Sequence, residues 1–266
     1  MTISRRLLIA LLPLAMAVGC GVNIFPVSQD KQLGAEIDQE IKTNKKEYPL
    51  LQNDQVRSYV QGIVDNLIRS PAIEYRDQFV YDVKIINDDK TVNAFCTPGG
   101  YIYVYTGLLR FVESEAELAG ILAHEIAHAE ERHGTEHMTQ AIGLSAILAA
   151  VNGSTDSEVT KIAASSASLL ATLANSRSDE IEADTRGFTY MESTKWWPGA
   201  ITLFFERMMT EQGRGTSIFE QWLSTHPAPE DRAENIRTLM KERSTPPQSP
   251  DNMMTASYRS MLRGLR

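Results

Sequence analysis

The sequence predicts an α+β fold that is mainly helical and contains a few short strands. Segments 31–46 and 54–68 place apolar residues at helical spacing, and Asn53 or Asp54 is suited to cap the second segment. Turn residues separate three segments that are rich in β-branched and aromatic residues, at 79–86, 92–96 and 101–105. The length of 266 residues suits one substantial domain.

The C-terminal half adds further helices. A helix follows Pro198 and runs to Gln212, and another begins near Glu230. Residues 138–174 are rich in alanine, serine, leucine and isoleucine and predict two helices joined by a loop. These helices either pack on the core or form a mobile lid or an apolar surface that rests on a membrane or a partner.

One stretch of the chain carries residues that bind metals in proteins. His124, Glu125 and His128 form a His-Glu-x-x-His pattern within an apolar helix that begins near Glu113. Residues four apart lie about 40° apart around a helix, so both imidazoles can bind one metal ion. Glu125 lies about 100° from His124, within reach of a water at that ion but not bound to the ion itself.

A second pair of metal-binding side chains follows further along the chain. Glu180 and Asp184 are again one helical turn apart. A catalytic zinc ion takes three protein ligands and keeps a fourth position open. Glu180 is therefore the candidate third ligand, and Asp184 is the candidate acceptor for a proton of a ligand imidazole. The alternative is an acidic surface helix, on which Glu182 would be solvated.

Together with further motifs, these residues resemble the HtpX-type and CAAX-prenyl-protease-type zinc metallopeptidases. Within that family the sequence is most similar to the outer-membrane-associated BepA and LoiP lipoprotein group. The resemblance runs from about Lys31 to Leu239. Besides the two metal motifs it includes VNAF at 92–95, GGYI at 99–102, GLL at 107–109 and THP at 225–227.

The resemblance implies a gluzincin-like zincin fold with a small mixed sheet beside the active-site helix. It implies one Zn²⁺ per chain, bound by His124, His128 and Glu180. Glu125 would then act as general base and afterwards as general acid. In the family, the strand that matches Asn93-Ala94-Phe95 borders the cleft, where it could pair with an extended substrate.

The expected reaction is the hydrolysis of internal peptide bonds, and the resemblance implies unfolded or misassembled cell-envelope proteins as substrates. Two other classes remain open. The protein could be a chaperone-like assembly factor for outer-membrane proteins that cuts rarely, and an intact Glu125 is compatible with such a dual role. It could also hold a purely structural zinc, although three ligands beside a poised glutamate are typical of a catalytic site.

His226 precedes Pro227, which fixes the backbone beyond it. It could simply cap the next helix, but the resemblance implies that it approaches the metal. There it would either donate a hydrogen bond to the oxyanion of the intermediate or occupy the fourth zinc position as a removable plug. We expect the oxyanion donor, because the imidazole can do that work only while it is off the metal.

The N-terminal residues predict a targeting segment. Two arginines precede an apolar run that is too short for a comfortable membrane span, and AVGC at 17–20 resembles a bacterial lipobox. We expect residues 1–19 to be a signal peptide and Cys20 to be lipidated. Gly21 after the lipidated residue implies the outer membrane, with the protein facing the periplasm. An uncleaved anchor with an incidental cysteine is the alternative.

The predicted domain organisation follows from these segments. Residues 20–30 form a tether, and residues 31–243 form the zinc metallopeptidase domain. Residues 244–266 form a linker and a basic, weakly amphipathic C-terminal tail, which is either a short surface helix or disordered.

Two more histidines could be mistaken for a metal pair. His133 and His137 are also four apart, but a continuous helix would place them about 180° from His124 and His128. Gly134 is expected to cap the C-terminus of that helix. We therefore expect His133 and His137 to be structural or solvated.

Composition argues against a nucleic-acid-binding protein and against an intrachain disulfide. The formal net charge of −8 provides no basic surface, so nucleic acid is not an expected partner. The chain has two cysteines, and lipidation of Cys20 would leave Cys96 as the only free thiol, without an intrachain disulfide. Cys96 is expected to be a small packed residue rather than a redox switch.

Overall fold

The described part of the chain, residues 23–141, 174–226 and 230–265 of a computed structural model, is mainly helical. Its strands are β1 (Asp82–Ile86), β2 (Ala94–Cys96) and β3 (Tyr101–Tyr105). Its named helices are, in chain order, α1 (Val27–Thr43), α2 (Asp54–Leu67), α3 (Thr106–Phe111), α4 (Glu115–Glu130), α5 (Arg177–Glu192), α6 (Ile201–Gln212), α7 (Glu220–Thr225), α8 (Glu230–Glu242), α9 (Pro250–Met253) and α10 (Thr255–Leu262). Residues 133–141 are also helical, and a 3-10 turn at Arg263–Leu265 follows α10.

Several predictions concern residues outside this described part. The predicted signal peptide at 1–19 and the predicted lipidation site Cys20 lie outside the described residues. Most of the segment 138–174, for which we predict a lid or a packed helix pair, also lies outside them. Among the helices that the structure does describe, none combines the length and the apolar character needed to cross a bilayer.

The sheet has three strands in the order β1-β3-β2. β1 runs parallel to β3, and β2 pairs antiparallel with β3, so the prediction of a small mixed sheet is confirmed. The first strand is shorter than the predicted 79–86. Tyr81 adopts a left-handed backbone conformation with φ 48°, and regular pairing starts only at Asp82.

Helix α1 covers the face of the sheet opposite to α4. It begins at Val27, so the predicted tether at 20–30 is too long. Pro26 sets the backbone before the first turn, and Asp30 provides a carboxylate near the helix N-terminus, where it is favourable. Apolar residues of α1 form a second core with residues of the sheet: Ile37, Ile41, Ile86, Tyr103 and Tyr105.

Helix α4 lies in the centre of the main core, and all sixteen of its residues are buried. The hydroxyl of Ser114 accepts a hydrogen bond from the Glu117 backbone N–H and caps the helix, close to the predicted start. The helix ends at Glu130, and Gly134 lies within the next helical stretch, so the prediction of a glycine cap there is wrong. Arg132, with φ 62°, turns the chain instead.

The C-terminal residues belong to the core rather than to a tail. Tyr258, Met261 and Leu265 are buried, and their spacing of three and four residues places them on one helical face. The Tyr258 hydroxyl donates a hydrogen bond of 2.6 Å to the carbonyl of Leu109. Residues 245–249 have no regular secondary structure, and α9 and α10 after them pack against the domain.

Helices α4 and α5, which carry the candidate metal-binding residues, approach each other closely at Gly187. A Cβ atom at this position would lie 3.0 Å from the backbone nitrogen of His124 and 3.1 Å from the carbonyl carbon of Ala123. Backbone atoms inside a helix cannot move aside individually, so a larger residue would push α5 away from α4. Glycine at this position therefore sets the distance between the two helices.

We predict that Gly187→Ala lowers the free energy of unfolding by about 1–3 kcal/mol, because the added methyl overpacks the contact. Gly62→Ala is the matched control. Gly62 lies within α2 with no atom within 4 Å of its would-be Cβ, so alanine there should stabilise by about 0.5–1 kcal/mol through helix propensity. Denaturant unfolding measures both changes. Shifts of the same sign would contradict the close-packing argument.

Candidate active site

His124 and His128 project from the same face of α4, as their spacing predicts. Their ring centroids are 4.5 Å apart, and their Nε2 atoms are separated by 3.0 Å. Both side chains are buried, at 0% and 7% exposure. The two imidazoles can therefore act together on one small ion.

Helix α5 brings two carboxylates to these histidines. A capping box between Ser176 and Asp179 starts the helix just before Glu180. Glu180 Oε1 lies 3.2 Å from His128 Nε2, and Glu180 Oε2 lies 3.5 Å from His124 Nε2. Asp184 Oδ1 lies 2.9 Å from His124 Nδ1. Because Nδ1 of His124 faces this carboxylate, its Nε2 is left to face Glu180 and His128.

His226, at the end of α7, completes a buried group of four with His124, His128 and Glu180, whose ligand atoms all lie within 4.8 Å of one another. His226 Nδ1 is 2.9 Å from Glu180 Oε1 and 3.4 Å from His124 Nε2. A tetrahedral zinc ion with bonds of about 2.0–2.1 Å separates neighbouring ligand atoms by about 3.3 Å. The donor types and their spacing therefore suit zinc.

The protonation states of His124 and Glu180 favour metal binding. Burial lowers the pKa of His124 to about 3, helped by the charges of Arg232 and His128 and opposed by Asp184. Burial alone would raise the pKa of Glu180, but His226 and Arg232 outweigh it and hold that pKa well below the usual value. Neutral imidazole and ionised carboxylate are the forms that bind metals.

Glu125 borders the same cleft but is not a member of the buried group. Its Oε1 lies 3.5 Å from His226 Nε2 and has no hydrogen-bond partner within the described part of the chain. Burial raises the pKa of Glu125 to about 8, although the charge of His128 opposes this shift. A buried carboxylate oxygen without a partner is unfavourable, so a water molecule or a substrate group is its expected partner.

Arg232 on α8 is a site residue that sequence analysis missed. Its guanidinium donates hydrogen bonds of 2.7 and 2.8 Å to the two carboxylate oxygens of Asp184, and it also contacts Glu180. Arg232 is 1% exposed. A usable signal was present, because Arg232 shares the buried face of its helix with Ala233 and Ile236.

Asn175 and Trp222 are two further residues of the site that the motifs do not reveal. Asn175 Nδ2 donates a hydrogen bond of 2.9 Å to Glu180 Oε1 and lies 3.5 Å from His226 Nδ1. The Trp222 ring stacks on His226, with centroids 4.5 Å apart. These contacts hold the His226 ring in place against the group.

The two additional histidines do not lie where a continuous helix would place them. Because the chain turns at Arg132, His133 folds back, and its Nδ1 lies 2.8 Å from Nδ1 of His128. His137 faces Asp179 instead, at 2.8 Å. The prediction that both histidines are remote from the metal pair is thus wrong for His133. Neither is a member of the buried group of four.

Strand β2 runs along the cleft beside α4. Asn93 and Phe95 line the cleft together with Glu125 and His128, while Ala94 is buried in the main core. Cys96 also borders the cleft and packs against the main core, and burial raises the pKa of its thiol well above the usual value. A protonated, packed thiol agrees with the expected structural role of Cys96.

Comparison with known proteins gives one family and several relatives. Residues 54–240 match the model of Peptidase family M48. A protein of Vibrio cholerae, provisionally named as a beta-barrel assembly-enhancing protease, is 33% identical over 222 residues, which are 77% of this chain and 45% of that protein. The beta-barrel assembly-enhancing protease of Escherichia coli is 28% identical over 251 residues, 90% of this chain and 50% of the relative. The mitochondrial metalloendopeptidase OMA1 of Schizosaccharomyces pombe is 27% identical over 223 residues, 83% and 64% of the two chains.

The chain spans about half the length of the beta-barrel assembly-enhancing proteases that it matches. The region matched by the family model extends from α2 to α8 and contains all four residues of the buried group as well as Glu125 and Arg232. The family resemblance inferred from the motifs is thereby confirmed. This chain belongs to peptidase family M48.

Proposed function

We propose that this protein is a zinc-dependent endopeptidase of the gluzincin type that hydrolyses internal peptide bonds of unfolded or misassembled cell-envelope proteins. The observation that carries the proposal is the buried group of His124, His128, Glu180 and His226, with Glu125 beside it. The relatives are named as proteases or metalloendopeptidases, which supports peptide-bond hydrolysis as the reaction.

His124, His128 and Glu180 would hold the zinc ion, and Asp184 would fix the orientation of His124 by accepting the Nδ1 proton. The ion, when bound, supplies Lewis acidity that polarises a scissile carbonyl and activates water. Arg232 in turn holds Asp184 through its two hydrogen bonds. The ligand positions are therefore set by α4, α5 and α8 together.

Glu125 supplies the proton transfers. Its carboxylate takes a proton from a water in the cleft as the water oxygen attacks the carbonyl carbon of the scissile bond. As the carbon–nitrogen bond then breaks, the same carboxyl group gives that proton to the leaving amine. The Glu125 oxygen without a hydrogen-bond partner in the described part of the chain is suited to accept it.

We further propose that an extended substrate pairs with strand β2 at Asn93, Ala94 and Phe95. β2 is an edge strand, since the sheet order ends with it. The carbonyl of Asn93 and the N–H of Thr97 are used in pairing with β3, which leaves the backbone groups of the intervening Ala94 toward the open edge. The backbone of Cys96 faces the same edge and hydrogen bonds to Glu125, which places this edge beside the proposed base. An unpaired strand edge is a favourable binding site for an extended chain.

For His226 the geometry favours the plug over the oxyanion donor. Its Nδ1 lies among the ligand atoms, 2.9 Å from Glu180 Oε1, and stacking on Trp222 holds the ring there. In this position the ring would take the fourth zinc position, which a catalytic site keeps open for water or substrate. His226 would therefore have to turn away before catalysis.

We also propose that Cys20 is lipidated and anchors the protein to the periplasmic side of the outer membrane. The lipobox-like sequence at 17–20 supports the anchor. The E. coli relative is named for its effect on beta-barrel assembly, which supports a place in the cell envelope and polypeptide partners there. No nucleic acid is proposed as a partner, given the net charge of −8.

The first test separates metal binding from proton transfer. His124→Ala should lose zinc, whereas Glu125→Gln should keep about one zinc per chain and lose about 10²–10⁴-fold in proteolytic rate. Zinc content and the digestion of an unfolded protein are the measurements. If Glu125→Gln digests at the wild-type rate, the assignment is wrong. If it loses digestion but still supports envelope assembly in cells, the chaperone-like alternative is the main function.

The second test addresses the plug. His226→Ala should keep zinc on His124, His128 and Glu180 and should increase turnover. In the wild type only the molecules whose His226 ring has turned away are active, so the factor of increase equals the reciprocal of that fraction. His137→Ala removes another histidine that borders the cleft but lies outside the buried group, and it should not increase turnover. A slower His226→Ala with full zinc content would instead establish the oxyanion donor, which is worth about 10²–10³-fold in turnover.

The third test addresses the anchor. Cys20→Ala should release the protein from washed outer membranes, because the lipid chains provide the attachment. Cys96→Ala, which removes the other cysteine, should remain in the membrane fraction. Retention of the Cys20→Ala variant in washed membranes would refute lipid anchoring at Cys20.

A further inference from the structure

His133 lies against a residue of the candidate zinc site without being a member of the buried group. Its Nδ1 is 2.8 Å from Nδ1 of His128, and the two rings are nearly perpendicular, at 70°. The ring is 3% exposed. This contact lies on the side of His128 opposite to Nε2, the atom that faces Glu180 and His124.

The contact fixes which nitrogen of each ring carries a proton. If Nε2 of His128 binds a metal, Nδ1 of that ring carries the hydrogen and is a donor. A donor at 2.8 Å requires an acceptor, so Nδ1 of His133 must present a lone pair. The hydrogen of the neutral His133 ring is then on its Nε2.

The surroundings of His133 agree with that assignment. Its Nε2 points to Glu182, whose Oε2 lies 3.6 Å away. A carboxylate on this side favours a hydrogen on Nε2 and disfavours a lone pair there.

We propose that His133 is a positioning residue for zinc binding: its Nδ1 accepts the Nδ1 hydrogen of His128, and Glu182 orients His133 from behind. The proposal rests on the proposed function, since it assumes zinc on His128. Hydrogen bonds behind a ligand imidazole fix its tautomer and orientation and increase its basicity. His133 would do for His128 what Asp184 does for His124.

The two histidine ligands would thus have unequal support. His124 Nδ1 faces a carboxylate at 2.9 Å that Arg232 holds with two hydrogen bonds. His128 Nδ1 faces a neutral imidazole, and the carboxylate behind that ring is the half-exposed Glu182, 3.6 Å from His133 Nε2. A neutral acceptor increases ligand basicity less than an anion does, so its main contribution is to hold the ring orientation.

The zinc dissociation constant, measured on the folded full-length chain by competition with a chelator, tests this role. His133→Leu replaces the imidazole by an apolar side chain of similar bulk that has no hydrogen-bond acceptor. We expect this variant to weaken zinc binding about 10–100-fold. His133→Asn keeps an acceptor oxygen near the position of Nδ1 and should restore most of the affinity. His137→Leu removes the neighbouring histidine, which faces Asp179 at 2.8 Å, and should bind zinc as the wild type does.

Two results would overturn the proposal: wild-type zinc affinity in His133→Leu, or equal weakening in His133→Leu and His133→Asn when thermal unfolding shows both apoproteins folded. The second result would mean that the ring only fills space. A wild-type chain that binds no zinc would instead refute the proposed function itself, so the two failures are distinguishable.

A measurement without a substitution covers the case in which His133→Leu does not fold. Nitrogen-15 NMR of the zinc-loaded wild-type protein reports the tautomer of each histidine. The proposal requires a hydrogen on Nδ1 of His128 and on Nε2 of His133, with Nδ1 of His133 unprotonated. A hydrogen on Nδ1 of His133 would refute it.

Discussion

The close approach of α4 and α5 determines the position of the side chains that form the buried group. His124 and His128 come from one helix and Glu180 and Asp184 from the other, and their contacts of 2.9–3.5 Å require the two backbones to be close together. Gly187, one turn beyond Asp184, provides that closeness, because its missing Cβ leaves room for the backbone of His124. A single small residue on the same face as the carboxylates therefore couples helix packing to the geometry of the site.

Charge is the second constraint on the buried group. Glu125, Glu180 and Asp184 are three carboxylates with at most 3% exposure, and Arg232 is a cation buried among them. Three negative charges and one positive charge leave an excess of two negative charges, and unpaired buried charge is strongly unfavourable. A divalent cation makes the sum zero, whereas protonation of Glu125, favoured by the burial that raises its pKa to about 8, removes one of the two charges. The raised pKa of Glu125 and a cation between the histidines and Glu180 are thus two responses to the same imbalance.

The sequence predicted what depends on local spacing. His124 and His128 share a face, Glu180 and Asp184 follow one turn apart, and the Asn53 cap and the strand Tyr101–Tyr105 lie where the residue types place them. What it did not predict depends on how distant segments meet. The position of His133 depends on the left-handed backbone conformation of Arg132 after α4. The C-terminal helices pack against the domain, where the buried Tyr258 donates a hydrogen bond to the carbonyl of Leu109. The position of Arg232 on an apolar helix face indicates burial, but its role beside Asp184 and Glu180 depends on how α8 packs against α5.

The segment before the family-matched region reaches the site through Arg132. This residue adopts the left-handed conformation that turns the chain after α4, which for a residue with a side chain is unfavourable and needs support from its surroundings. The support comes from α1, since Arg132 forms an ion pair with the buried Asp30 and also hydrogen bonds to the carbonyl of Phe25. Because the turn at Arg132 is what brings His133 against His128, the N-terminal helix contributes to the arrangement behind a candidate ligand. Asp30, Ile37 and Ile41 of α1 also line the cleft. The residues proposed for the chemistry thus lie within the matched region, whereas part of the cleft wall and the anchor of this turn come from the helix that precedes it.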